Sequence, residues 1–429
     1  MTKYAGLLLK IPCILFIIIL LSACTAGCIS PSSAGHQNTT VSLTPTAIAA
    51  EETGAPGNTT VTPAIPPAPA VVQAPAAIPS AARDPDLESQ GSLNKIYYYT
   101  LNGNQGFIPL KVYTGVNNYI TSLGPIYTGD DYKAVISNEV QAEYVAQLVG
   151  EINNSVKNPG DDARIAINLV QHIKYDANTI SEIQLNTSKS GQSYIGRYPY
   201  TILFQQWGGI CGEKSFLLAL LLKDLGYNVA LIEFDFGNSQ PGHMAVGIKA
   251  PAPYAFENTG YALIESTVPT IPTFDGYYLS GMDAPISSFT PAKVIQISDG
   301  RSFDSTGTEF SDAQIEQSVY SAWGSVNDAA IQLNSSAQHL QDLENTVNSW
   351  ESKAQNDYSS RNMAGYQYDV QMYNQAYSAY QNYYTTVYYP DYTAWHTLND
   401  NFQEHYLPKE TALEAKYGMN TGTNVGTAI

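Results

Sequence analysis

Gly208-Gly209-Ile210-Cys211-Gly212-Glu213-Lys214-Ser215 runs straight into Phe216-Leu217-Leu218-Ala219-Leu220-Leu221-Leu222. A glycine-rich turn feeding an apolar run of this length predicts a helix that is hydrophobic on all faces, and such a helix has to be buried. Gly226 supplies a stop. Cys211 therefore starts a buried helix, where unpaired amide groups and the helix dipole favour negative charge and hence the nucleophilic thiolate. A small, buried structural thiol is the plain alternative.

Two later stretches bear on that choice. His243 lies in Pro241-Gly242-His243-Met244-Ala245-Val246-Gly247-Ile248, which alternates like a strand, and Glu265 lies in Tyr261-Ala262-Leu263-Ile264-Glu265-Ser266-Thr267, a second short strand. Asp235 and Glu257 are the rival carboxylates. Cysteine at a helix start, then histidine and a carboxylate on successive strands, resembles the transglutaminase-like superfamily, especially its archaeal and bacterial members. The resemblance covers about residues 135 to 270. It includes Asp161-Asp162-Ala163-Arg164-Ile165-Ala166, Val170-Gln171-His172-Ile173-Lys174-Tyr175-Asp176 and Arg197-Tyr198-Pro199-Tyr200. The superfamily usually carries Asp as third member; here Glu265 takes that place, one methylene longer. The resemblance implies a papain/transglutaminase-like α+β domain and a catalytic set of Cys211, His243 and Glu265. In that set His243 holds the thiolate and moves protons, while Glu265 orients the imidazole. The backbone amide of Cys211 supplies one oxyanion donor, with Gln171 and Trp207 as candidates for a second.

Composition limits the alternatives. The 429 residues carry a net charge of -18, which argues against nucleic acid as a partner because that needs a basic face. Cysteines stand at 13, 24, 28 and 211. Beyond residue 28 no internal disulfide can form, and a lone cysteine with a distant histidine is a candidate nucleophile. Residues 1–28 read as an export signal: Lys3 and Lys10 precede an uncharged apolar core from Ile14 to Leu21. Leu21-Ser22-Ala23-Cys24 resembles a lipobox, with Cys24 as the lipidated residue; an uncleaved signal anchor is the other option. Either places the chain on the extracellular face of the cytoplasmic membrane. Residues 29–90 are rich in Thr, Pro and Ala and predict an extended, disordered spacer, with sequons at Asn38 and Asn58.

Residues 91–305 read as the catalytic domain. Asn102-Gly103-Asn104 predicts a hairpin between two aromatic-rich strands. Helices are predicted over 138–153 and 161–172, and residues 175–200 read as a long polar connection bordering the site. Residues 228–234 form the strand before His243, so helices precede an antiparallel sheet. Residues 312–418 read as a coiled-coil hairpin or small bundle. Ile315, Val319, Ala322, Val326, Ala329, Leu333, Ser336, Leu340, Leu343, Val347 and Trp350 form one heptad seam. Met363, Tyr366, Val370, Tyr373, Tyr377, Tyr380, Tyr384 and Val387 form another. A break falls at Ser359-Ser360, Pro390 is expected to end the second helix, and a third surrounds Trp395. Residues 419–429 read as a disordered tail.

The chemistry expected is cleavage or transfer of an amide or isopeptide acyl group on a protein or peptide of the cell envelope. The alternative is a catalytically silent binding module with the coiled coil as its recognition arm. No cofactor is expected. His339, His396 and His405 fall at no metal-ligand spacing, Glu213 interrupts any phosphate loop, and no resolving cysteine supports a redox sensor. Glu213 and Lys214 are expected to serve the first helical turn, and His172 to be a half-buried helix-end histidine.

Overall fold

The computed structural model describes residues 83–128, 130–176, 194–206, 208–236, 242–276 and 285–419. The export signal, Cys24, both sequons, Trp207 and the residues after 419 lie outside them. A short helix, α1 (Pro85–Ser89), falls where the sequence predicts spacer. The hairpin follows as β1 (Ser92–Leu101) and β2 (Asn104–Tyr113). Its two-residue turn has Asn102 at φ 51 and Gly103 at φ 77, the doubly left-handed form whose twist suits paired strands. Then come α2 (Thr114–Ser122), β3 (Ile126–Tyr127), α3 (Tyr132–Ile136), α4 (Glu139–Asn154) and α5 (Asp161–His172). The predicted polar connection holds more structure than expected: β4 (Tyr194–Gly196) pairs with β3, and α6 (Pro199–Gln205) starts on its proline.

Helix α7 (Cys211–Asp224) is buried at every position from Gly212 to Leu222. Strands β5 (Val229–Phe234), β6 (His243–Lys249), β7 (Tyr261–Ile264) and β8 (Lys293–Ser298) form one antiparallel sheet ordered β7-β6-β5-β8. Central β5 is buried along nearly its whole length, because both faces of the sheet are covered. Leu231, Met244, Val246 and Ile264 join the main core with α5 and α7. Ile232, Phe234, Ala245 and Leu263 face a second core containing Ile271, Phe274, Ala313, Leu413 and Tyr417. The last three of these belong to the helical region, so its first and last turns close the back of the sheet.

That region begins with α8 (Gly307–Ser359), about 80 Å long at roughly 1.5 Å per residue. α9 (Met363–Tyr383), a π-helical turn (Tyr384–Tyr388) and α10 (Tyr389–His405) return along it, and α11 (Leu407–Tyr417) comes back to the base. Both α9 and α10 pack on α8. The first seam is present within the chain: Val319, Val326, Leu333, Leu340 and Val347 recur every seven residues and are buried. The second seam differs from expectation. Met363, Tyr377 and Tyr384 are exposed, and Asp369 is buried instead. Nor does Pro390 end the helix, since Tyr384, Tyr388 and Tyr389 all keep right-handed helical backbone angles. Proline removes one N–H and crowds the carbonyl four residues back, and the π turn just before it shifts the hydrogen-bond register so that the helix passes through. Among the described residues no helix is long and apolar enough to cross a membrane.

Polar contacts fix the two ends of the helical region to each other and to the α+β body. Arg164 of α5 pairs with buried Glu309. Asp312 accepts from Lys416 Nζ at 2.5 Å and from the Tyr417 hydroxyl at 2.7 Å. Asn168 Nδ2 donates to the Tyr417 carbonyl at 2.8 Å. Leu220→Ala, in a helix with no exposed face, should cost about 3 kcal/mol and lower the melting temperature of the whole α+β body. Leu333→Ala, in the middle of the hairpin, should cost about 2 kcal/mol by the same cavity argument. Its effect should be confined to faster hydrogen exchange in α8–α10, with exchange in α7 unchanged.

Candidate active site

The turn before α7 is shaped by contacts that only glycine permits. Gly208 sits at φ +132, and a Cβ there would come within 2.7 Å of the Lys174 carbonyl. A Cβ on Gly212 would lie 2.4 Å from the carbonyl of Ile195. The turn is thus pressed between two extended segments. On one side Gly209 bridges Tyr175 in parallel fashion, with Gly209 N donating to Lys174 O at 2.9 Å. On the other side lies β4. Glu213 anchors the assembly from inside the first helical turn. Its carboxylate accepts from Arg197 Nε at 2.6 Å and Nη2 at 2.8 Å, from the Tyr194 hydroxyl at 3.0 Å, and from the Ile210 amide at 3.0 Å. A fully buried carboxylate needs such a set of donors, including the forked guanidinium. The helix start is satisfied by Glu213 reaching back, which leaves Cys211 half-buried at the first helical position.

His243 and Glu265 reach each other through sheet register. β6 and β7 pair with Val246 opposite Ile264. Continuing one residue sets Glu265 opposite Ala245, and His243 lies two residues along on the same face. Diagonal neighbours on adjacent strands are about 7–8 Å apart at the backbone, a span that long side chains close. Glu265, with its extra methylene, does so: its Oε2 lies 2.8 Å from His243 Nε2. The other carboxylate oxygen, Oε1, accepts from the Thr267 amide at 2.6 Å and from the Thr267 hydroxyl. Glu265 is 1% exposed and His243 8%. Asp235 and Glu257, the rivals, are both exposed.

Cys211 also acts on the His243 ring and favours its charged form. Burial alone would push the imidazole pKa down. The charge and hydrogen bond of Glu265, with Cys211 adding to them, outweigh it and raise the value to about 10. Burial likewise pushes Glu265 up, but the charge and hydrogen bond of His243, with the two Thr267 donors, bring it down to about 2. His243 and Glu265 are thus in direct contact, and Cys211 at the start of α7 favours the charged form of His243.

The other site expectations fare differently. Gln171 is no oxyanion donor. It is buried, and its side-chain amide nitrogen donates to the carbonyls of Glu265 at 2.8 Å and Thr270 at 3.2 Å. With both hydrogens so used, it braces the segment carrying Glu265. Trp207 lies outside the described residues. His172 is half-buried at the end of α5, with Nδ1 2.8 Å from the Asn168 carbonyl, and burial lowers its pKa. Among the described residues no group of three or more His, Cys, Asp or Glu is placed to hold a metal.

Three features escaped sequence reasoning. Tyr175 bridges the glycine turn at Gly209; burial raises its hydroxyl pKa well above the ordinary value, and the charges of Cys211 and Glu265 add to the effect. Ser215 Oγ, one turn past Cys211, donates to the Met244 carbonyl at 2.9 Å and lies 3.0 Å from Ser266 Oγ, which joins α7 to β6 and to the acid segment. Lys214 is fully buried. Spacing within the cysteine motif was the only signal for the two α7 residues, and it does not distinguish them from ordinary first-turn positions.

The linked shifts set a pH window. The raised pKa of His243 contributes stability that is complete below its unfolded value near 6.5 and fades as pH rises through about 10. The depressed pKa of Glu265 contributes stability that is complete above about 4.5 and is lost as pH falls through about 2. The pair is therefore most stabilising between about pH 4.5 and 6.5. Glu265→Gln should cost about 3 kcal/mol in that window and progressively less toward pH 10, measured by denaturant unfolding. Comparison with family models, with curated proteins and with solved structures finds no match to this chain.

Proposed function

We propose that the chain is a cysteine acyl-transfer enzyme of transglutaminase-like type, acting on amide or isopeptide bonds of proteins or peptides at the cell envelope. The observation that carries the proposal is the buried Glu265–His243 contact of 2.8 Å, with Cys211, at a helix amino terminus, favouring the charged form of the same imidazole. A helix carrying the nucleophile against an antiparallel sheet carrying the other two groups is the arrangement that a papain/transglutaminase-like fold implies.

In this proposal His243 stays protonated near neutral pH and holds Cys211 as a thiolate. Sγ attacks the substrate carbonyl carbon, and the resulting oxyanion is met by the Cys211 backbone N–H at the open end of α7. Tyr175 takes the second-donor role in place of Gln171. The Nδ1 proton of His243 then passes to the leaving amine as the C–N bond breaks, leaving a thioester. Water or an acceptor amine attacks the thioester, gives its proton back to His243, and releases Cys211 as thiolate. Glu265 holds the ring throughout and balances its charge. A lipid on Cys24, or an uncleaved anchor, would keep this chemistry at the outer face of the cytoplasmic membrane.

A thiol-directed alkylating probe at neutral pH should label Cys211 at least tenfold faster than the same residue in the unfolded chain. Cys211→Ala should abolish turnover while leaving the melting temperature within a few degrees of the parent, because only a small, half-buried side chain is lost. Tyr175→Phe should lower kcat by about tenfold to a hundredfold with little change in KM, as expected for a donor used in the transition state. Labelling no faster than in the unfolded chain would overturn the enzyme reading in favour of a silent binding module.

A further inference from the structure

Lys214 stands three residues after the nucleophile and is fully buried. Its Nζ donates to three backbone carbonyls: Thr267 at 2.8 Å, Ile173 at 2.5 Å and Gln171 at 3.2 Å. An ammonium has three N–H donors, so each finds an acceptor. The acceptors come from separate parts of the site. Thr267 is the residue whose amide and hydroxyl hold Glu265 Oε1. Ile173 opens the segment that runs to Tyr175 and bridges the glycine turn at Gly209. Gln171 holds the Glu265 carbonyl through its side chain.

Resting on the enzyme reading above, we propose that Lys214 is a positioning residue that fixes the Glu265–Thr267 segment and the Ile173–Asp176 segment to the helix bearing Cys211. A plain core role fits poorly, since an apolar side chain of the same length would fill the space without the cost of burying an amine. Here burial lowers the pKa of Lys214 to about 7, against the opposing pull of the Glu265 charge. The position thus gives up intrinsic stability for three directed bonds, all ending on segments that carry or brace the site.

Lys214→Met and Lys214→Gln separate the possible roles. Both remove the charge and keep much of the length, but Gln keeps two N–H donors and Met none. The readout is the titration of His243 in the full-length protein, followed by NMR with histidine labelled; the chain has six histidines, and His243→Gln assigns the signal. Removing a nearby positive charge alone would raise the His243 midpoint. Losing the Glu265 contact would lower it, because burial then acts unopposed. The expected result is a midpoint at least one unit lower in Lys214→Met, a smaller fall in Lys214→Gln, and alkylation of Cys211 slowed at least tenfold and about threefold respectively.

A midpoint that rises or stays put in Lys214→Met, with only the melting temperature reduced, would overturn the positioning role. If Lys214→Met does not fold, Lys214→Gln decides alone by the sign of its shift. If Cys211 of the parent reacts no faster than an unfolded thiol, the enzyme reading fails, yet the direction of the His243 shift still decides whether Lys214 sets the geometry.

Discussion

A carboxylate removed from water costs several kcal/mol unless opposite charge and donors replace the lost hydration. Glu265 is 1% exposed, and the surrounding structure is arranged to satisfy it. One oxygen meets the His243 ring, the other meets two donors of Thr267, and the carbonyl behind it is held by Gln171. His243 in turn is buried with a raised pKa, which its hydrophobic setting could not sustain without Glu265 and Cys211. The same requirement recurs one helical turn away, where buried Glu213 is met by Arg197, Tyr194 and the Ile210 amide. The site is a set of mutually dependent buried charges, and α7 is the element on which they converge.

The scaffold explains how these charges hold still. α7 is buried on all sides, and the sheet it packs against is covered on its far face by the base of the helical hairpin. Arg164 and Asn168 of α5 fasten that base through Glu309 and the Tyr417 carbonyl. Gln171, on the same helix α5, braces Glu265. The long hairpin therefore shares a foundation with the site. Along its outer length it is sparsely charged and rich in tyrosine, with ring pairs such as Tyr373–Tyr377 stacked at 6.0 Å.

Much of this was legible from residues whose physics is local. Asn102-Gly103 specified its hairpin because few other pairs accept two left-handed residues in succession. The limits of α5 and the course of α7 followed from an acidic first turn, an unbroken apolar run and a flanking glycine. Cys211, His243 and Glu265 emerged from motif order. What escaped depends on tertiary partners. Gln171 carries an amide that could serve an oxyanion or two carbonyls equally well, and only its neighbours decide. Lys214 reads as an ordinary first-turn lysine until three carbonyls surround it. Pro390 normally ends a helix, and the π turn that carries the chain past it has no signature in composition. Strand β8 follows a stretch with no clear alternation and is fixed by pairing with β5.

The claim that Cys211 is an acyl-accepting nucleophile is tested most directly by trapping the thioester. Full-length protein is incubated with cell-envelope peptides, quenched in acid, digested and examined by mass spectrometry. The account predicts an acyl adduct on the peptide containing Cys211, discharged by hydroxylamine and absent from His243→Ala. An adduct that forms equally in His243→Ala, or on a residue other than Cys211, or none across a broad peptide set in a protein whose Cys211 is accessible to alkylation, would contradict it.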